Sequence, residues 1–132
     1  MEQLDKLQSK IRKQEINLWK FEDEYRAKKK KIEESYNNLE DNRQKLIYLY
    51  DEFREMFYYF IPKEQVFEEE QRNFINLLES YTTTTEIEFR KQYEKIEEED
   101  ERLSMIYNKE HSQLEAELER SYLMRKKLYE EE

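Results

Sequence analysis

An apolar residue stands at every seventh position from Leu4 to Phe60: Leu4, Ile11, Leu18, Tyr25, Ile32, Leu39, Leu46, Phe53 and Phe60. In a chain only 36% hydrophobic, nine consecutive hits at one spacing are improbable by chance. Seven residues make two turns of a slightly under-wound α-helix, so the line predicts a long coiled-coil-type seam. A seam needs a second helix to cover it. Pro62, the only proline, breaks the run, and about seventy further residues of helix-rich composition follow.

Composition points the same way. Charged residues make up 43% of the 132, and there is no glycine, so turns needing positive φ are few. Such a profile belongs to long solvated helices. Disorder is the competing reading of so polar a chain, and nineteen aromatics together with the seam weigh against it. The fold expected is all-α: a single helical-hairpin domain over 1–132, a long antiparallel pair with arm one at about 2–60 and arm two at about 64–130. Pro62 cannot extend the hydrogen-bond ladder and disfavours helical geometry at Ile61, which places the turn near Phe60–Lys63. Arm one would be roughly 90 Å long as one helix.

The seam's supporting positions change along arm one. Leu7 and Phe21 fall three after seam residues, with Gln14 and Lys28 interrupting; later Tyr36, Tyr50 and Phe57 fall four after, joined by Leu49 and Met56. The stripe widens there, as it would if more than one neighbour packed against it. In arm two, apolar residues recur by threes and fours from Phe67 to Tyr122, and Asp100 falls on that line. Thr82–Thr85 sets four β-branched residues together, with Thr83 and Glu86 at capping-box spacing. A kink or restart is possible there, and a continuous helix is favoured.

Residues 1–61 carry 13 acidic and 13 basic side chains, whereas 62–132 carry 20 and 11, which accounts for the net charge of −9. Nucleic acid would repel such a chain, and protein partners of basic or mixed charge are the expectation. With the turn at residue 62, Lys28–Lys31 lies within a turn of the run Glu97–Glu101, and Arg125–Lys127 lies beside Glu2 and Asp5. Charge pairs of this kind select antiparallel register.

Catalysis is not expected. Phosphate-binding loops, dinucleotide fingerprints and nucleophile elbows all need glycine. His111 has Glu115 four residues on, but position 108 is Asn where a di-iron helix would carry Glu, so His111 reads as a solvated surface residue. No metal or cofactor is expected. No apolar run approaches the roughly 20 residues of a membrane span. The start Met1-Glu2-Gln3-Leu4-Asp5 is not a secretory signal, so a cytoplasmic location is expected, with export alongside a cargo left open. Without cysteine there is no disulfide or thiol chemistry.

Ten of the nineteen aromatics lie between Tyr48 and Tyr81. A small core closing the hairpin tip is the plainer explanation. Phe57 to Phe60 are consecutive aromatics, however, and point around the whole helix, so two arms cannot cover them all. Uncovered aromatics make binding hot spots. The partner-binding candidates are therefore Tyr50, Phe53, Phe57, Tyr58, Phe60, Phe67 and Phe74. Trp19, Ile16 and Ile47, with Met105, Ile106 and Met124, suggest a second face that meets another helix.

A small, cysteine-free, glycine-poor hairpin with aromatics beside Pro62 and a glutamate-rich second arm resembles the WXG-like proteins of type VII secretion. Within that group it is most similar to the longer accessory hairpins encoded beside LXG toxins in Gram-positive bacteria. The Trp-x-Gly turn of the group is missing, and Tyr58-Tyr59-Phe60-Ile61-Pro62 occupies its place. The tail lacks the Tyr-x-x-x-Asp/Glu export signal; Tyr36…Glu40, Tyr48…Glu52 and Tyr93…Glu97 have that spacing but inside helices. A Phe-x-x-x-Asp element is also absent. The resemblance implies a targeting chaperone that binds the helical N-terminal domain of an LXG toxin and works beside a partner carrying the signal, such as a second small helical hairpin. A self-associating coiled-coil spacer, down to a homodimer, is the alternative.

Overall fold

A computed structural model of the chain describes residues 2–60 and 68–131, without the side chain of Phe60. It consists of two long helices, α1 (Glu2–Phe60) and α2 (Glu68–Glu131), paired antiparallel as an all-α hairpin. The expected turn at Phe60–Lys63 and the start of arm two near 64 lie outside the described residues. No described residue has positive φ, in keeping with a chain that lacks glycine. The chain divides into two compact units, Met1–Ile32 with Glu99–Glu132 and Glu33–Glu98.

The first unit holds the tighter core. Leu7, Ile11 and Leu18 of α1 pack with Leu118 of α2, flanked by Leu114 and Leu128, and Ile11 keeps only 2% of its surface. Ser121 is buried among them, a side chain small enough to let the helices approach. Further along, the rings of Phe21 and Tyr25 both stack on Tyr107, and the Tyr25 hydroxyl lies 3.4 Å from Ser104 Oγ. Asp100, the acid on the apolar line of arm two, accepts a hydrogen bond from Lys29 Nζ. Its place on that line is thus matched by a lysine at the corresponding place on α1.

The second unit is held by rings and ion pairs more than by aliphatic packing. Its fully buried hydrophobic, among the described residues, is Leu78. Arg43 Nε donates to both Glu86 carboxylate oxygens, at 3.0 and 3.2 Å; Nη1 reaches Glu40, and the guanidinium lies 4.8 Å from the Phe89 ring centroid. Tyr36 meets Tyr93, Tyr50 meets Tyr81, and Phe57 stacks on Phe74.

Two expectations need correction. First, the register is displaced. A pivot at residue 62 sets Lys29 against Lys95, a pair of like charges, and Arg43 against Tyr81. Lys29 instead meets Asp100 and Arg43 meets Glu86, so both pairs centre on 64.5. At Lys29 the shift exchanges repulsion for attraction, and at Arg43 it replaces a neutral tyrosine with a carboxylate. The ion pairs expected between Arg125–Lys127 and Glu2 or Asp5 do not form, although the shifted register brings Lys127 level with Glu2; the Arg125 guanidinium lies over the Tyr122 ring.

Second, the seven-residue line does not stay inside. It is buried at Ile11 and Leu18, yet in the second unit Leu46 is 40% and Phe53 46% exposed. A strict seven-residue line drifts around a straight helix by about 20° per heptad, enough to leave the contact face after several repeats. Ile47, Tyr50 and Phe57 take over the inward positions.

The continuous helix favoured at Thr82–Thr85 is what forms, since α2 runs through the stretch without a restart. Thr82 Oγ1 donates to the carbonyl of Leu78 at 2.9 Å, and Thr85 Oγ1 lies 3.1 Å from the Tyr50 hydroxyl. Both hydroxyls thereby have a partner, that of Thr82 sharing the carbonyl its own backbone N–H uses in the ladder.

Candidate functional site

The candidate aromatics fall into three groups. Tyr50, Phe57 and Phe74 are half-buried between the helices of the second unit. Phe57 and Phe74 lie face to face at 4.0 Å, and the Tyr50 and Tyr81 rings are 6.1 Å apart. Phe53 and Tyr58 point outward, with Tyr58 meeting the edge of Phe57 at 5.9 Å. The side chain of Phe60, and all of Phe67, lie outside the described residues. The aromatics at this end of the hairpin thus divide between holding the arms together and facing away from them.

Phe53 does not stand alone. Leu46, Leu49, Phe53 and Met56 are all exposed and follow one another by three, four and three residues, the spacing of a single helix face. On α2 Leu77 is exposed too, three residues beyond Phe74, as Phe53 is four before Phe57. In an antiparallel pair these positions share one level. The surface is therefore an apolar stripe on α1 reaching α2 across the Phe57–Phe74 stack. Sequence reasoning found Phe53 and the widening at Leu49 and Met56 but counted Leu46 and Phe53 as seam. The three-four-three spacing was the available signal for a second stripe.

His111 is not a solvated residue. Its side chain is 21% exposed, its ring stacks on Tyr107 at 5.0 Å, and its nitrogens lie 3.4 Å from Glu22 on α1 and Glu115 on α2. It bridges the arms of the first unit. Among the described residues no three His, Asp or Glu side chains converge as a metal would require, and no helix is long and apolar enough to cross a membrane. Burial, and next the Glu22 carboxylate, push the Tyr107 phenol above its ordinary pKa.

This geometry presents a surface suited to binding. It offers flat apolar area, aromatic edges and tyrosine hydroxyls, the means by which helices recognise helices. No protein-family model, curated protein or solved structure matches the chain.

Proposed function

We propose that the chain is a non-enzymatic helical adaptor that lends its arms to a partner's helices, forming a composite bundle. In its narrower form the reading is a targeting chaperone that binds the helical N-terminal domain of an LXG toxin and directs it to a type VII secretion system. The observation that carries it is the uncovered stripe Leu46, Leu49, Phe53 and Met56. Monomeric soluble proteins seldom leave contiguous apolar surface of this kind without a use for it. A helix laid along the stripe would bury apolar area worth about 25 cal/mol per Å², less the ordering cost.

Co-purification with an LXG domain encoded beside this chain tests the reading. Phe53→Asp and Met56→Asp are expected to abolish capture while leaving helicity intact, because both side chains already face solvent. Phe57→Asp is the wrong probe, since it breaks the stack on Phe74. Undiminished capture by a folded Phe53→Asp variant would reject the adaptor. A stable homo-oligomer in sedimentation, without any partner, would favour the self-associating spacer, because the same stripe on two copies could then be satisfied mutually.

A further inference from the structure

We infer that the first unit carries a second docking site, a lysine-rimmed groove for an acidic amphipathic helix, where the first turns of α1 lie against the last turns of α2. The groove encloses about 500 Å³. Leu7, Met124 and Leu128 form its apolar floor, and Met124 is 55% exposed. Lys6 and Lys10 of α1 and Lys127 of α2 form its rim, and no carboxylate of the described residues lines it. None of the three lysines makes an ion pair with a described residue.

The chemistry of the occupant follows from this arrangement. Lys6 and Lys10 are four apart, so they stand on one side of α1, and Lys127 faces the groove from the other helix. The lining runs from Gln3 to Lys10, about 10 Å or two helical turns. A helix lying in it would set two or three apolar anchors on Leu7, Met124 and Leu128. Its Asp and Glu flanks would then meet lysines on both shoulders. In a chain of net charge −9, three neighbouring lysines around an apolar floor select for an acidic ligand and speed its approach. This site rests on the adaptor reading and adds a second contact to it, one of stated charge.

The test uses the full chain and a fluorescein-labelled helix-forming peptide of about four turns. The peptide carries leucines at alternating three and four spacing, flanked by glutamates; a matched control carries lysines in their place. Fluorescence anisotropy should show binding of the glutamate peptide alone, weakened by salt. Methyl resonances of Leu7 and Met124 should shift on its addition. The triple variant Lys6→Glu, Lys10→Glu, Lys127→Glu should lose binding by about tenfold or more, and Met124→Gln, which disturbs only an exposed side chain, guards against a folding artefact. No binding, equal binding of the two peptides, shifts at residues outside the groove, or full binding by either variant would each overturn the proposal. So would preferential occupation by dodecanoate or by a second copy of the chain. Phe53→Asp leaves this binding unchanged, so failure here and failure of the toxin capture are read separately.

Discussion

Tyr107 of α2 stacks on Tyr25 of α1 with ring centroids 3.7 Å apart and planes 16° from parallel, and on its other contacts it meets Phe21 and His111. One ring thus gathers three neighbours, two of them on the opposite helix. Stacked pairs add about 0.5–1.5 kcal/mol beyond area burial. Tyr107→Ala is expected to destabilise the chain by about 2 kcal/mol, below the full cost of a wholly buried ring. Tyr107→Phe should cost little. Urea midpoints at constant slope would measure both.

Gln14 offers the opposite kind of change. Its Oε1 is buried in the first unit with no hydrogen-bond partner. A buried acceptor left unpaired costs about 1–3 kcal/mol, so Gln14→Leu is expected to raise stability by about 1 kcal/mol. A lowered urea midpoint in that variant would show the amide to be doing something the contacts do not reveal.

The Lys29–Asp100 pair bears on register. Each side chain keeps about a third of its surface exposed, which limits the pair to the modest range of surface ion pairs. Lys29→Glu should destabilise by about 1 kcal/mol through like-charge contact, and combining Lys29→Asp with Asp100→Lys should recover most of it. Thermal melts of both variants decide whether the attraction or merely the side-chain packing matters.

Alkaline pH should weaken the hairpin. The hydrogen bond to Asp100 holds the Lys29 ammonium above its ordinary range, against the opposing pull of burial. Burial likewise raises the phenols of Tyr107 and Tyr122, helped by Glu22 and by Glu15 respectively. All three groups bind their proton more tightly folded than unfolded. Their contribution is therefore complete below the unfolded values, about 10 to 10.4, and is lost as pH rises through the folded ones. Melting temperature should hold to about pH 10 and fall beyond it, less steeply in Tyr107→Phe. A melting temperature that rises above pH 10 would contradict this.

The two-arm architecture was readable because Ile11 and Leu18 lie on a repeat that no other fold of this length explains. The repeat could not show where it would leave the interface. That depends on drift accumulating around the helix, which only the partner's position makes visible at Leu46 and Phe53. Register was legible in kind and wrong in amount. Pro62 marks an interruption without marking a midpoint, and the choice between Lys95 and Asp100 opposite Lys29 is made by many weak pairs at once. His111 looked like surface because Glu115 is its only acidic neighbour in the chain's own periodicity; Glu22 comes close only through folding. At the aromatic end, counting rings marked the segment without sorting its members. Sorting Phe57 from Phe53 required knowing which of them Phe74 would meet.

Leu78, 4% exposed, is the one buried hydrophobic in the described part of the second unit. With one such side chain among its described residues, this unit has little in reserve, so a partner of the kind proposed would contribute a large fraction of what keeps the arms folded. By mass action, the stability gained grows with the logarithm of the free concentration of such a companion. The lifetime of the chain in a cell would then serve as a gauge of its companion's supply, with unaccompanied copies cleared first.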